Sequence, residues 1–317
     1  MSSKKPGKQT DSSKKKTKYL EPSDKLTLIS GDKLIKLDHK PTRHYWGNHV
    51  TDGMLGMLYG PRGSGKTFAA LGIAISIATG KKFLGHGPEK PRNVLLLDGE
   101  MGTKLLKQRT QEMRKSLGAD NLKNLSIFSP DMYRHVLPTL AGKEGQTAID
   151  GLISKNVNVV IVDNISAWNH GGREDADGWS AWAEWMLKHK HLGRTVILIH
   201  HANKGGGQRG TSRKEDNLDF VIQLSPFSNP KHPTALSFNL TWEKVRSEGK
   251  ESTPVLQVTR VERDKKPPKW EHLEVAGLEG RIAEAVELSE KGMAPKQIAE
   301  AMGVTKSSVS RYLKAGK

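Results

Sequence analysis

The 317-residue chain contains no cysteine, which excludes disulfides and thiolate metal sites. Aromatic residues make up 6 % of it and hydrophobic residues 35 %. No apolar run approaches the roughly 18 residues of a membrane-crossing helix, and the N-terminus lacks the apolar stretch of a secretory signal. A soluble cytoplasmic protein without a membrane partner is expected. Acid is scarce too: 34 Asp and Glu stand against 51 Lys and Arg, a formal net charge of +17. That imbalance favours a polyanionic partner, nucleic acid before an acidic membrane surface.

Glycine, by contrast, is plentiful, and its placement is informative. The apolar run Met54–Tyr59 reads as a buried strand that breaks into Gly60-Pro61-Arg62-Gly63-Ser64-Gly65-Lys66-Thr67 and then, from Phe68, enters a helix. This is a complete G-x-x-x-x-G-K-[ST] phosphate loop in its strand–loop–helix setting. Without side chains, Gly60, Gly63 and Gly65 let the backbone turn its N–H groups toward phosphate, and the helix start adds its positive dipole end. Lys66 can reach the β- and γ-phosphates, and the Thr67 hydroxyl can ligate Mg²⁺. A nucleoside triphosphate site with ATP and Mg²⁺ as occupants is expected over residues 60–68.

Two further apolar runs, Asn93–Asp98 and Val157–Asp163, read as strands buried on both faces, and Thr195–His200 is a third. Helical periodicity over 67–79, 104–117 and 146–155 separates them, which predicts an α/β fold with a mainly parallel central sheet. Leu218–Leu224, Ala235–Thr241 and Val255–Arg260 follow with little helix between them and suggest added antiparallel strands. Asp163 closes a buried strand well after the loop, where an acid can hold the Mg²⁺ shell opposite Thr67. Glu100 follows the strand after the loop helix; at that carboxyl end it can activate an attacking water or simply favour the next helix's dipole.

His200-His201 end the third run, and a polar group at that tip can sense the γ-phosphate. Neighbours on a strand point to opposite faces, which argues against a metal pair. The following loop carries Lys204, Arg209, Arg213 and Lys214 and no acid through Lys214, which suits a single-stranded phosphate backbone. Trp179, Trp182 and Trp185 form a helical stripe, either core or a base-stacking platform, and Trp46 either packs ahead of the first core strand or stacks on a base.

The succession GPRGSGKT, LLLDGEM, VVIVDN, ILIHHANKG and RGTSRKEDNLD resembles the RecA-like core of hexameric replicative helicases, plasmid RepA-type enzymes first and DnaB-type next. The likeness spans about residues 45–262. It implies Glu100 as catalytic base and His200 or His201 as nucleotide sensor, of which we take His200. It also implies that the loop after them lines a central channel for single-stranded DNA. In Trp242-Glu243-Lys244-Val245-Arg246 it implies an arginine finger at Arg246, with Lys244 as companion, inserted into a neighbour's site. A homo-oligomer, a hexamer, follows from the same likeness. Two features depart from it: no collar domain is expected before the core, and a C-terminal module follows.

Residues 1–22, with seven lysines and one acid before residue 19, are expected to be a disordered basic tail that solubilises the chain or brushes DNA. Residues 23–264 would form the RecA-like ATPase domain, 265–277 a basic linker and 278–317 an all-α helix-turn-helix module. In that module Ala299, Gly303 and Val309 stand at helix-turn-helix spacing, and Thr305 can cap a third helix. Lys306, Ser307, Ser308 and Arg311 on that helix are candidates for duplex DNA in the major groove, unless the module serves a protein contact. The expected function is an ATP-hydrolysing oligomeric DNA motor, a plasmid- or phage-type replicative helicase. An ATP-dependent DNA-binding regulator or loader that does not unwind is the second reading, and a recombinase-like strand-exchange protein a weaker third.

Overall fold

The buried apolar runs become strands because a short run hydrophobic on successive residues can bury both faces inside a sheet whose neighbours on either side pair its backbone. The computed structural model describes residues 28–38, 40–169, 176–202, 217–246, 253–275, 278–302 and 306–316. It separates into Met1–Thr42 and Arg43–Lys317. In the first unit the described residues form one short helix, α1 (Gly31–Leu34), whose cap Ser30 accepts from the Lys33 backbone N–H. The basic tail at 1–22 lies outside the described residues.

The second unit opens with a small hairpin, β1 (His44–Trp46) and β2 (Val50–Thr51). The core then runs β3 (Leu55–Gly60), α2 (Lys66–Thr79), β4 (Val94–Asp98), α3 (Thr103–Ser116), β5 (Leu125–Phe128), α4 (Lys143–Asp150), β6 (Val159–Asp163), α5 (Ala176–His191) and β7 (Thr195–His201). Four strands complete it: β8 (Phe220–Pro226), β9 (Ser237–Val245), β10 (Val255–Arg263) and β11 (Lys266–Val275). The described strands order as β11-β10-β9-β8-β3-β7-β6-β4-β5. From β8 to β5 all pairings are parallel, and β9, β10 and β11 add on antiparallel. The phosphate-loop strand β3 is thus separated from the Asp163 strand β6 by β7. This is a RecA-like α/β fold with a mainly parallel sheet.

Helices α2 and α3 pack on one face of the sheet and α4 and α5 on the other, giving two hydrophobic cores. At the centre β3 approaches β8 so closely that a Cβ on Gly56 would lie 1.9 Å from the Phe220 ring, so only glycine fits. The tryptophan stripe belongs to the second core: Trp179, Trp182 and Trp185 are 6 %, 1 % and 1 % exposed, and Trp185 Nε1 donates to Asp150 Oδ1 at 2.8 Å. Trp46 is fully buried and donates to the Phe83 carbonyl at 3.1 Å. Rings with no open face cannot receive a base, so all four are packing residues, each worth about 3–5 kcal/mol against alanine.

Two expectations need correction. Residues 266–275, read as linker, form the edge strand β11, paired along its length with β10. Pro267-Pro268 signals a linker, but an edge strand tolerates proline because one row of its N–H groups is unpaired anyway. Trp270 anchors the strand against Phe68 and Phe83, each with ring centres at 5.7 Å, and Phe238 at 6.4 Å. In addition, β8, expected with the antiparallel group, runs parallel to β3.

The C-terminal residues make three helices, α6 (Leu278–Glu290), α7 (Pro295–Ala301) and α8 (Lys306–Ala315). Pro295 stands in the first turn of α7, and the Gln297 side chain accepts from the Ala294 N–H at 2.9 Å. Ala285, Ile298, Ala299, Val309 and Tyr312 form their own core, which is the small all-α helix-turn-helix arrangement.

Candidate nucleotide site

The strand order brings the carboxyl ends of β3, β4, β6 and β7 side by side, and functional groups gather there because the parallel strands all point that way. The phosphate loop leaves β3 at Gly60 and enters α2 through Gly65, which sits at φ +87° in the left-handed region. A Cβ there would also lie 2.9 Å from the Phe238 ring, so the position is closed to other residues twice over. Lys66 Nζ donates to the Gly60 carbonyl at 2.9 Å and the Pro61 carbonyl at 2.7 Å. Burial holds its pKa below the usual lysine range, against the pull of Asp163 and Glu100.

Register pairs Asp98 at the end of β4 with Asp163 at the end of β6. Both are buried, and the Thr67 hydroxyl hydrogen-bonds Asp163. Burial, reinforced by Asp98, pushes Asp163 up to about 7. Burial also raises Asp98 to about 6, even though its Oδ1 accepts from the Glu100 N–H at 2.8 Å and the Met101 N–H at 2.7 Å. Those two bonds form the turn that presents Glu100. Its Oε1 lies 3.2 Å from His201 Nε2, and Asn164 Nδ2 lies 3.1 Å from the same nitrogen. Asn164 is oriented by the Ala167 N–H on its Oδ1 at 3.1 Å. The bond to His201 holds the Glu100 carboxyl below its ordinary pKa, so it is ionised at neutral pH.

Beside them opens a cavity of about 400 Å³ with Arg62, Gly63, Gly65, Lys66, Thr67, Phe68, Glu100, Arg109, Asp163, His201 and Leu236 on its wall. Here the structure departs from the choice of His200. Alternation along β7 puts His200 beside Tyr59, fully buried on the face that carries Val196 and Leu198, and puts His201 beside Gly60 on the α2 side. His201 is the histidine that joins Glu100. Lys244 and Arg246 are not on the wall. The Arg246 N–H donates to the Asp219 carbonyl, and the Asp219 N–H to the Leu55 carbonyl, which places Arg246 at the amino end of β3. Lys204, Arg209, Arg213 and Lys214 lie outside the described residues, as do Gly303 and Thr305 and the Ser307 side chain.

Sequence reading missed Asp98, Asn164 and Arg109. Asp98 had a signal, since it ends an apolar run as Asp163 does. Arg109 had none: it reaches the cavity only because α3 folds over α2, with its guanidinium carbon 4.9 Å from the centre of the Phe68 ring.

The donor set fits a nucleotide and a hard cation. Ser64 Oγ is buried in the loop without a hydrogen-bond partner among the described residues, and two hard oxygen ligands, Thr67 and Asp163, already touch. Among the described residues no cluster of three or more His, Cys, Asp or Glu could hold a metal ion.

The buried acids give a pH dependence. Between an ordinary carboxylate pKa near 4 and the raised values near 6 and 7, the folded chain keeps protons that the unfolded chain has released. The two acids' contribution to the stability of the nucleotide-free protein should therefore fall as pH rises from about 4 to about 8, against the opposite trend from His86 and His189, whose burial lowers their pKa values. Asp163→Asn should flatten that fall in thermal melts and melt at least as high as wild type at pH 8. A steeper fall in the variant would rule out this origin.

A family model described as an AAA domain matches residues 21–207, more than half of the chain. The chain belongs to the AAA domain family. A second model, for a homeodomain-like domain, matches residues 278–315, the three-helix module that follows the AAA domain. No curated protein matches the chain significantly. Among solved structures it is similar to a RadB recombinase, at 17 % identity over 66 % of this chain and 88 % of that one, TM-score 0.45. It is also similar to a KaiC-like protein from the hyperthermophilic archaeon Pyrococcus horikoshii OT3, at 17 % identity over 70 % and 91 %, TM-score 0.49. At these scores neither likeness bears on function. Family membership, the complete phosphate loop and the strand order make this a RecA-like P-loop ATPase carrying a C-terminal helix-turn-helix module.

Proposed function

We propose that the chain is the subunit of an oligomeric, ATP-hydrolysing DNA motor of the replicative-helicase type. The observation that carries the reading is that phosphate loop, Asp163 and Glu100–His201 share one cavity, while the arginine assigned to finishing the site stands away from it in the same chain. Such a site is completed by a neighbouring copy, and a ring, a hexamer by the resemblance, satisfies every subunit at once.

In this reading the loop amides and Lys66 hold the phosphates of ATP, and Phe68 and Arg109 border the rest of the nucleotide. Thr67 and Asp163 would hold Mg²⁺, whose charge offsets that of the β- and γ-phosphates. Glu100, kept ionised by His201, takes a proton from the attacking water. Arg246 of the neighbour, with Lys244, stabilises charge developing on the transferred phosphoryl group. His201 stands at the start of the segment 203–216, whose cations would grip single-stranded DNA in the channel. A forked duplex should be opened by the wild type with ATP and left closed by Lys66→Ala; no opening by wild type at any ATP concentration would end the helicase reading.

The module α6–α8 has a core of its own, which favours a second use, ATP-regulated attachment to duplex DNA as a regulator or loader. Helix α8 buries Val309 and Tyr312 and exposes Lys306, Ser310, Arg311 and Lys314, a cationic face suited to the major groove. Arg311→Ala should weaken duplex binding by about 1–3 kcal/mol in a titration at fixed salt while leaving DNA-free hydrolysis unchanged. Undiminished duplex affinity would make the module a protein-contact device.

A further inference from the structure

A second, cationic groove shares no wall residue with the nucleotide cavity. It is about 340 Å³ in volume, set between α3 and the β10–β11 turn, and lined by Gln108, Gln111, Glu112, Lys115, Lys265, Lys266 and Pro267. Along α3 the exposed residues Lys104, Gln108, Gln111 and Lys115 recur at helical spacing and lead into it. From Lys104 to Lys115 the helix rises about 16 Å, the axial length of roughly five base pairs of a duplex.

The electrostatics are one-sided. Among the described residues none of Lys104, Lys115, Lys265 and Lys266 has an ion-pair partner. The single acid in the wall, Glu112, is engaged: its Oε1 takes Arg260 Nε at 3.0 Å and Arg260 Nη2 at 2.7 Å. Asp264, the other residue at the turn, does not line the groove.

The turn itself is strained in favour of charge. Lys265 sits at φ +52°, beside a bulge between Val261 and Arg263. Glycine is the ordinary occupant of a left-handed position at a bulged hairpin, because a Cβ there is crowded. A lysine in its place costs stability and gains only a cation at the groove mouth, and strain of that kind marks sites of function.

We propose that this groove binds the phosphodiester backbone of duplex DNA, as a contact separate from the helix-turn-helix and from the channel. Lysines and side-chain amides are the donors that position proteins on phosphate and sugar without reading sequence. The groove wall shows no aromatic residue, which disfavours single strands, whose binding draws on stacking. It shows no apolar residue larger than proline either, which disfavours a membrane.

The test is salt-dependent binding of a 25-base-pair duplex of arbitrary sequence, followed by fluorescence anisotropy on the full chain between 50 and 200 mM salt. Removing one lysine–phosphate interaction should reduce the slope of log K against log salt by about 0.9. K265G should lose about that much while melting no lower than wild type, since glycine relieves the strain; a merely structural lysine would move neither slope nor affinity. K115Q/K265Q/K266Q should lose up to about 2.7 in slope, with DNA-free ATP hydrolysis unchanged. Measuring both in an Arg311→Ala background separates the two modes of DNA binding: a slope change that persists there supports the groove whether or not the helix-turn-helix reads DNA. An unchanged duplex slope in both variants overturns the proposal, as does a loss confined to a single-stranded 25-mer or to phosphatidylserine-containing vesicles.

Discussion

Glu100→Gln is expected to lower steady-state ATP hydrolysis by 10²- to 10⁴-fold while leaving nucleotide affinity within a few-fold of wild type. That is the size of effect a positioned general base contributes, about 3–5 kcal/mol of barrier. The substitution is nearly isosteric, so the contact with His201 at 3.2 Å can persist and the turn held by Asp98 is untouched. A fall in rate cannot then be charged to misfolding, and a thermal melt should show little change. The measurement is single-turnover hydrolysis at saturating ATP beside a direct binding titration. A rate within fivefold of wild type would reduce Glu100 to a carboxylate that merely suits the dipole of α3. His201→Ala should act less strongly and through Glu100, by allowing its pKa to rise.

The second large effect concerns a residue outside the cavity. Arg246 is tied through Asp219 to Leu55, and Leu55–Gly60 spans the length of β3. At about 3.3 Å per residue that is some 17 Å from the phosphate loop, so Arg246 cannot serve the site of its own chain. If a neighbour's site receives it, Arg246→Ala should lose 10³- to 10⁵-fold in hydrolysis with nucleotide binding retained. Mixing supplies the decisive result. Lys66→Ala subunits are dead at their own loop but carry an intact Arg246, and Arg246→Ala subunits are the reverse. In a randomly assembled ring of equal parts about a quarter of the sites pair a good loop with a good arginine, so up to about a quarter of wild-type activity should return. No return on mixing, with both variants assembling normally, would sink the shared site and the ring along with it.

Much of the nucleotide site was legible in the linear chain, because its parts are local. A glycine pattern that folds backbone around phosphate, a lysine and a threonine in fixed steps behind it, and acids closing apolar runs each declare themselves within a few residues. Other features were ambiguous for equally physical reasons. Pro267-Pro268 between lysines reads as linker until β10 lies alongside, since an edge strand and an extended linker share the same composition. The tryptophans of α5 are compatible with core or platform until one knows which face of α5 meets the sheet.

The chain's order of residues determined that this protein binds a nucleoside triphosphate on a strand–loop–helix unit within a parallel sheet, because short-range geometry suffices for that. Only the tertiary structure decided that His201 and not His200 meets Glu100, that Asp98 pairs with Asp163 and Asn164 with His201, that Arg109 reaches the cavity, and that Arg246 stands at the far end of β3. Those outcomes depend on which strand lies beside which and on the alternation of side chains across a sheet, where pairing partners are separated by tens to more than a hundred residues and a shift of one position reverses every face.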